Sequence, residues 1–464
     1  MPAVLGLAAV AFGAAALWHQ RAPAATPTAA GREPPTPVLS ARRVPAFLSR
    51  QLADTRLAQA LDQAFSDPAL GPGRDRSCLL VDAPDGRVVY ARQPSLALIP
   101  ASNLKLVTAA AALARLGPAS RFSTEVRLGA APVRGVVAGD LWLVGGGDPL
   151  LSTADFAATA GYQGGPRLAT PLESLADRVA AAGVRQVKGR VVGDESRYDL
   201  QRYVPSWNPR YVTNNEIGPI SALTVNGGFA QWKPKAVPAP APATNAAAVF
   251  VALLQARGVV VTGGVGEGRT PGGTTRVAAV ESPPLADVVG EMLRDSDNLT
   301  AEMLVKEIGV RAGGGGTTAA GVKVVTATVA GRGLPVAGLS AVDGSGLDRS
   351  DRGTCDLFAA VLGQGGEDGP LGRGLPTAGR DGTLSRRFLG SPAAGRVRAK
   401  TGSLEHVVAL SGWATTNAGP ALRFSLLVND LARDAAGTAL EDKLANVLVG
   451  YPQAPSAADL GPLR

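Results

Sequence analysis

The distribution of strand-like and helix-like segments along the chain constrains its fold more than any other feature. The stretch SCLLVDAPDGRVVYARQ at 77–93 predicts a β-hairpin, and an apolar-faced helix follows it. Near the C-terminus, VRAKTGSLEHVVALSGWAT and ALRFSLLVND predict two more strands before a closing amphipathic helix. We therefore expect one layered α/β domain to be assembled from both ends of the chain.

The middle of the chain has a different pattern. It is rich in short Val/Leu strands separated by glycine turns, such as VAGDLWLVGGGDPLL and VKGRVVGDESRYD. With 464 residues the chain is also too long for a single core. We interpret residues 126–275 as an inserted β-rich region, within a domain built from residues 44–125 and 276–464. The stretch KPKAVPAPAPATN at 233–245 is interpreted as a surface linker.

The N-terminal segment predicts export. PAVLGLAAVAFGAAALW forms an apolar run from Pro2 to Trp18, which is near the lower length limit for spanning a bilayer. A buried core helix is the weaker alternative, because a Pro/Ala/Thr-rich stretch follows. We expect residues 1–20 to be a signal peptide or signal anchor and residues 21–43 to be a linker. The folded part would then lie outside the cytoplasmic membrane, secreted or membrane-anchored.

Composition narrows the possible chemistry. The net charge of +8 comes from scattered basic residues rather than a dense block, so nucleic-acid binding is not expected. The chain has only two histidines, and His19 lies in the N-terminal tail. A Ser-His-Asp hydrolase would have to depend on His406 alone, so lysine or carboxylate acid–base chemistry is favoured.

The two cysteines, Cys78 and Cys355, do not have the spacing of metal ligands. No metal or cofactor is therefore expected. In an exported chain the two cysteines could form one disulfide, and two separate buried thiols are the alternative.

A serine and a lysine stand together at the start of the helix PASNLKLVTAAAALARLG. Ser102 and Lys105 are three residues apart, so they share one helix face. A serine at a helix start has a free backbone N–H and lies at the positive end of the helix dipole. A lysine driven toward its neutral form by burial could accept the serine proton. The pattern SxxK is common by chance, and Ser102 could simply cap the helix.

Two further motifs strengthen this interpretation. SDN, containing Ser296 and Asn298, stands between two helical runs, where a loop can direct a hydroxyl and an amide into a cleft. KTG, formed by Lys400, Thr401 and Gly402, lies on a predicted strand, and the glycine would let an extended peptide approach the strand edge. Alone, SDN could be a polar turn and KTG an edge-strand lysine. In the order SxxK, SDN, KTG the three motifs form a strong signal.

With these motifs, the sequence resembles the serine penicillin-binding proteins and β-lactamases. It is most similar to the low-molecular-mass class C group, the D-Ala-D-Ala carboxypeptidase/endopeptidases. The resemblance extends from about residue 50 nearly to the C-terminus. It includes PASNLKL, GDLWLVGGGDPLL, GDESRYD, ISALTVNGG, DGSGLDR, GRDGTLSRRF and GRVRAKTGSL. It implies an α/β (α+β) fold, with a serine β-lactamase/DD-peptidase-like three-layer α-β-α domain, an antiparallel sheet and an inserted β-rich domain.

The resemblance also implies catalytic roles. Ser102 would attack the carbonyl between two D-alanines and form an acyl-enzyme, with Lys105 as the general base. Ser296 would relay a proton toward the leaving amine, while Lys400 keeps the local field positive.

Binding roles follow from the same resemblance. Asn298 would bond the substrate's backbone amide, and Thr401, with the neighbouring lysine, would bind the terminal carboxylate. The backbone N–H groups of Ser403 and of the nucleophile would form the oxyanion hole. Asp194 and Arg349 would form a subsite for the charged end of a diamino-acid side chain.

The predicted function is a penicillin-sensitive serine D-Ala-D-Ala carboxypeptidase/endopeptidase that remodels the cell wall. Its expected partners are peptidoglycan stem peptides ending in D-Ala-D-Ala, β-lactam antibiotics and the membrane, through the N-terminal segment. Two alternatives stay open. One is a catalytically silent peptidoglycan-binding module, against which the intact catalytic positions argue. The other is a β-lactamase, which would hydrolyse penicillin rapidly, although no ExxxN-like deacylation motif stands in a plausible position.

Overall fold

The structure is a computed structural model that describes residues 44–161, 165–456 and 458–460. The predicted export segment (1–20) and the predicted linker (21–43) lie outside the described residues. The helices are α1 (Val44–Phe65), α2 (Leu104–Leu116), α3 (Ala154–Thr159), α4 (Leu172–Ala181), α5 (Pro209–Thr213), α6 (Pro242–Gln255), α7 (Leu285–Asp295), α8 (Asn298–Arg311), α9 (Thr318–Gly331), α10 (Cys355–Gly365), α11 (Pro370–Arg373) and α12 (Asp434–Val449). None of the helices in this described part has the length and apolar character needed to cross a bilayer.

The strands are β1 (Ser77–Asp82), β2 (Val88–Arg92), β3 (Ser123–Leu128), β4 (Val136–Val137), β5 (Leu141–Val144), β6 (Leu151–Ser152), β7 (Thr170–Pro171), β8 (Gln186–Val187), β9 (Val191–Asp194), β10 (Phe229–Gln231), β11 (Val237–Pro238), β12 (Val260–Val261), β13 (Val265–Glu267), β14 (Thr275–Glu281), β15 (Val397–Leu404), β16 (Val407–Thr415) and β17 (Ala421–Val428). The first two strands form the hairpin predicted at 77–93.

The central sheet joins the two ends of the chain. Its order is β15-β16-β17-β1-β2, and every neighbouring pair is antiparallel. The first strand pairs directly with the last, so that Cys78 lies opposite Leu427. The prediction of one domain assembled from both ends agrees with this sheet order.

Side-chain alternation along β1 explains why helices cover both faces of this sheet. Leu79 and Val81 belong to a buried cluster with residues of α1 and α12. Cys78 and Leu80 belong to a second cluster with residues of α2, α7, α8 and α10. Because successive strand residues point to opposite faces, one apolar run supplies two cores. The predicted three-layer α-β-α arrangement is confirmed.

The two cysteines form a disulfide. Cys78 on β1 and Cys355 at the start of α10 have Cα atoms 6.0 Å apart, and both residues are fully buried. The bond ties the central sheet to one helical layer. The disulfide excludes the alternative of two separate buried thiols. Disulfides are typical of proteins in oxidising compartments.

The inserted region has its own five-stranded sheet, ordered β13-β9-β5-β3-β14. The strands β3 and β14 pair antiparallel, with Ser123 opposite Glu281. The chain therefore enters and leaves the insertion on adjacent strands, a few residues outside the expected limits of 126 and 275. Helices α4 and α6 contribute to the apolar core of this sheet.

The surface-linker interpretation of residues 233–245 is wrong for its second half. That half contains the first turn of α6, where Ala243 is buried, and β11 comes shortly before it. The physical reason is close packing, because a Cβ atom built on Gly193 would lie only 2.3 Å from the Ala243 carbonyl oxygen. A run of alanines here lets a helix approach a strand, which composition alone does not reveal.

Buried charges hold the insertion against α8. Lys306 donates hydrogen bonds to Asp199 and to the Gln201 carbonyl, and its own side chain is fully buried. Glu307 accepts two hydrogen bonds from Arg197, at 2.7 and 2.8 Å. Because α8 begins at the SDN motif, these contacts place the insertion beside the candidate site.

Candidate active site

Ser102 lies in a single 3-10 turn, Ala101–Asn103, immediately before α2. The turn is fastened to the central sheet, because Asn103 donates a hydrogen bond to the Ser411 hydroxyl at 2.7 Å. The residue before the serine, Ala101, has a φ of 47°, a left-handed conformation that non-glycine residues rarely adopt. Such strain persists only where surrounding structure enforces it, as in functional turns.

Lys105 contacts the Ser102 hydroxyl and two other acceptors. Its Nζ lies 2.9 Å from Ser102 Oγ, 2.7 Å from Asn298 Oδ1 and 2.7 Å from the Ser345 carbonyl oxygen. The carbonyl and amide oxygens can only accept, so a neutral amine would donate its two hydrogens to them. Its lone pair is then left facing the serine hydroxyl. The geometry is that of a general base.

The environment favours this neutral form. Lys105 is fully buried, and burial lowers the pKa of its amine to about 8. Nearby carboxylates, led by Asp343 and Glu302, act in the opposite direction and limit the fall of this pKa. Desolvation disfavours a charged amine, and adjacent negative charge favours it. At neutral to mildly alkaline pH, a usable fraction of the amine is therefore unprotonated.

The SDN motif lies between two helices, as predicted. Ser296 ends α7 in a left-handed conformation with φ of 60°. Asp297 caps α8, and its Oδ1 accepts a hydrogen bond from the Thr300 N–H at 2.8 Å. The aspartate thus has a structural role, while the strained serine turns its hydroxyl toward the cleft.

Asn298 links the general base to the insertion. Its amide oxygen accepts from Lys105, and its Nδ2 donates to the Glu216 carbonyl at 2.8 Å. The two contacts fix the orientation of the amide.

Lys400 contacts the SDN serine. Its Nζ lies 2.9 Å from Ser296 Oγ and 2.7 Å from the Thr401 carbonyl oxygen. Burial, followed by the positive charge of Lys105, holds the pKa of Lys400 well below its usual value. The resemblance implied that this residue keeps the local field positive. The observed surroundings favour the neutral amine instead, in the absence of a bound anion.

The outer edge of β15 is the rim of the cleft. The Ala399 N–H donates to the Pro376 carbonyl, on the side away from β16. Backbone groups of alternate residues point the same way, so the N–H of Ser403 also faces this outer edge. The Thr401 hydroxyl bonds the Thr383 hydroxyl at 2.9 Å. The edge therefore offers backbone and hydroxyl donors to an extended ligand.

Gly402 serves a different purpose from the one predicted. It is buried, and a Cβ built on it would lie 2.9 Å from the Pro100 carbonyl oxygen and 3.2 Å from Ala101 Cβ. The glycine lets β15 pack against the nucleophile turn rather than admitting a ligand. Without it, Ser102 and Ser403 would be pushed apart.

The three motifs meet in one cleft of about 1090 Å³. Ser102, Ser296, Asn298, Thr401 and Ser403 all contribute to its lining. The opposite wall comes from the insertion and includes a T-shaped aromatic pair, Phe156 and Trp232, whose ring centroids are 5.2 Å apart.

Asp194 and Arg349 are not brought to the cleft. Asp194 lies at the end of β9, where its two oxygens accept from the Ser196 and Thr270 N–H groups at 2.9 and 2.7 Å. Arg349 is exposed and donates to the Glu405 carbonyl at 2.9 Å. Neither belongs to the cleft lining. The predicted side-chain subsite does not form from this pair in the structure, because the acidic member is already used to hold backbone groups.

Sequence reasoning missed the buried acidic residues behind Lys105, which are Glu302, Asp343 and Asp351. The stretch DGSGLDR was noted only as part of the resemblance. Its consecutive acidic and glycine residues signal a tight turn, but nothing in it indicates contact with Lys105. Among the described residues, no group of three or more His, Cys, Asp or Glu side chains is arranged to hold a metal ion.

The chain is similar to several known proteins. The model of the D-Ala-D-Ala carboxypeptidase 3 (S13) family matches residues 57–240 and 231–449. A D-alanyl-D-alanine carboxypeptidase of Actinomadura sp. (strain R39) is 33% identical, over 88% of this chain and 88% of its own length. Carboxypeptidase DacB of Mycolicibacterium smegmatis is 34% identical, over 96% and 95%. The crystal structure of penicillin binding protein 4 from Haemophilus influenzae superposes with a TM-score of 0.69 at 21% identity, covering 86% of this chain and 99% of that one.

Proposed function

Because the chain belongs to the D-Ala-D-Ala carboxypeptidase 3 (S13) family, we propose that it hydrolyses peptides ending in D-Ala-D-Ala through an acyl-enzyme on Ser102. The observation that carries this proposal is the contact between Lys105 Nζ and Ser102 Oγ at 2.9 Å, with two obligate acceptors holding the amine.

Acylation starts from the neutral form of Lys105. As Ser102 Oγ attacks the carbonyl carbon of the penultimate D-alanine, the serine proton passes to the amine. The developing oxyanion accepts hydrogen bonds from the N–H groups of Ser102 and Ser403, and a donor of this kind typically contributes about 3 kcal/mol. The outward direction of the Ser403 N–H on β15 supports this role.

Departure of the last D-alanine requires a proton on its nitrogen. Lys105 now carries the proton taken from Ser102, and that proton has to reach the leaving nitrogen. Ser296 Oγ lies 2.9 Å from Lys400 Nζ. We assign Ser296 the transfer of the proton to the leaving amine. The substrate's terminal carboxylate would lie near Thr401 and Lys400, where its negative charge raises the pKa of Lys400 and restores the ammonium form.

The acyl part of the substrate would lie along β15. An extended peptide can pair with the free strand edge, and Asn298 can bond its backbone amide. Water then hydrolyses the ester and releases the shortened peptide.

A β-lactam fits the same machinery, because its strained amide presents a carbonyl beside a carboxylate. Attack by Ser102 opens the ring and leaves a penicilloyl ester. The silent-module alternative is disfavoured by the assembled Ser102–Lys105 contact. The β-lactamase alternative predicts rapid release of that ester.

The enzyme would work outside the cytoplasm. The cell-wall peptidase family and the Cys78–Cys355 disulfide support an extracytoplasmic location. Attachment to the membrane through residues 1–20 is a further part of this proposal, resting on the apolar sequence alone.

The purified chain is expected to release free D-alanine from an N-acylated peptide ending in D-Ala-D-Ala. A coupled D-amino-acid oxidase assay measures the product, and a peptide ending in L-Ala-D-Ala, whose cleavage would also release D-alanine, is the matched control. Preincubation with one equivalent of penicillin should stop the release. Absence of D-alanine with fully folded protein would support the silent module, and many penicillin turnovers per chain would support a β-lactamase.

A further inference from the structure

A buried glutamate lies behind the general base and does not face the cleft. Glu302 is in the second turn of α8 and is fully buried. Its Oε1 accepts hydrogen bonds from two consecutive backbone N–H groups, those of Gly344 at 2.9 Å and Ser345 at 2.7 Å. A side chain that binds adjacent amides in this way fixes the backbone between them. That backbone includes the Ser345 carbonyl, which accepts from Lys105.

The loop of residues 343–346 has no room to shift. A Cβ built on Gly344 would lie 2.3 Å from Val305 Cγ2. Gly346 has a φ of 81°, and a Cβ on it would lie 1.9 Å from the Ala101 carbonyl oxygen, within the nucleophile turn. The loop is therefore pressed between α8 and the turn that carries Ser102.

A second hydrogen bond holds the loop from the other side. The Thr108 hydroxyl, one turn after Lys105 on α2, donates to the Gly344 carbonyl at 2.7 Å. The loop is thus held by both α2 and α8. It therefore connects the helix that carries Lys105 to the helix that begins at the SDN motif.

We propose that Glu302 is a positioning residue for the general base: by holding the Gly344 and Ser345 amides, it fixes the Ser345 carbonyl against Lys105. With that carbonyl in place, the neutral amine has one orientation, and its lone pair faces Ser102. This inference rests on the proposed function, in which Lys105 is the base.

The titratable groups around Lys105 come from three elements. Asp297 and Glu302 face it from α8 and its cap, Asp343 and Asp351 from the loop region, and Lys400 from β15. Burial and the neighbouring Asp343 raise the pKa of Glu302 to about 8. A protonated carboxyl keeps one oxygen as an acceptor, so Glu302 can hold the two amides in either protonation state.

Two substitutions of Glu302 separate its effect on the position of the Ser345 carbonyl from the effect of its charge. In Glu302→Gln the amide oxygen can still accept from both N–H groups, so the plateau rate of acylation should stay close to that of wild type. In Glu302→Ala the carbonyl is released, and misplacement of the base should lower the plateau about 100-fold. The ammonium form of Lys105 also loses a fixed acceptor, so the midpoint of the pH profile should move to lower pH.

The experiment is the rate of labelling by a fluorescent penicillin, measured from about pH 6 to 10, where a lysine base would titrate. Asp82→Asn is the matched control, since Asp82 is a buried carboxylate on β1 that binds Arg423, and neither residue lines the cleft. It should leave both plateau and midpoint unchanged. Folded Glu302→Ala with the wild-type plateau and midpoint overturns the inference, as does Glu302→Gln falling as far as Glu302→Ala. Failure of the wild-type protein to label would instead refute the proposed function.

If Glu302→Ala does not fold, Thr108→Val tests whether the position of the 343–346 loop controls the general base. This nearly isosteric change removes the hydrogen bond that holds the Gly344 carbonyl. We expect a plateau about tenfold lower, because a small displacement of a catalytic group is costly. An unchanged plateau in folded Thr108→Val overturns the inference.

Discussion

Ser102→Ala is expected to lower D-alanine release by at least about 10⁴-fold, the scale seen when a serine nucleophile is removed. Labelling by fluorescent penicillin should vanish, because the variant lacks the hydroxyl that contacts the Lys105 amine. Among the described residues, Ser102 is the one whose hydroxyl makes this contact. The protein should still fold, since alanine is compatible with the 3-10 turn and leaves the Asn103–Ser411 anchor intact.

D-Alanine release and penicillin labelling together test whether Ser102 is the nucleophile. Ser66→Ala removes an exposed hydroxyl that bonds only its own helix end, and it serves as the matched control with wild-type behaviour. Equal penicillin labelling of Ser102→Ala and wild type would place the nucleophile elsewhere.

Lys105→Gln is expected to lower the acylation rate about 10³-fold, within the range that a general base supplies. Glutamine is uncharged and can still hydrogen-bond, but its amide cannot accept the serine proton. In the wild type, the neutral amine is the reactive form and the pKa of Lys105 is about 8. The acylation rate should therefore rise with pH and level off above that value, and the variant should lose this rise.

Lysine burial alone should not produce the same effect. Lys306→Gln changes another fully buried lysine, one that binds Asp199 rather than the nucleophile. It is expected to reduce thermal stability while keeping the wild-type pH profile. A pH-independent rate in the wild type, or a wild-type rate in Lys105→Gln, would contradict the role assigned to Lys105.

The local sequence pattern was sufficient to predict the parts of the fold that depend on neighbouring residues. The hairpin predicted at 77–93 follows from a turn between two β-rich runs. The motif order predicted which segments converge, and Ser102, Ser296 and Thr401 do line one cleft.

Other features depend on contacts between distant segments, and no local pattern encodes them. Gly402 is a glycine because of the Pro100 carbonyl, roughly 300 residues earlier in the chain, and only the packed structure shows that neighbour. Asp194 was predicted to bind a ligand, yet it holds the Ser196 and Thr270 amides. A carboxylate in a turn is equally suited to either purpose, so its partner decides its role.

Glu302 illustrates the same limit within a helix. In the sequence it is one acidic residue in NLTAEMLVKEIG, where an exposed position would be the usual expectation. Its burial becomes understandable only when the loop of residues 343–346 supplies two amides to its oxygen. Sequence motifs therefore predicted the reacting groups that we propose, while the groups that orient them required the structure.

Mass spectrometry of the penicillin-treated protein, intact and after proteolysis, shows which residue carries the acyl group. We expect a single penicilloyl group per chain, located on the peptide that contains Ser102 and still present after excess penicillin is removed. An adduct on Ser296 or any other residue, or folded protein that gains no mass at all, would contradict this expectation.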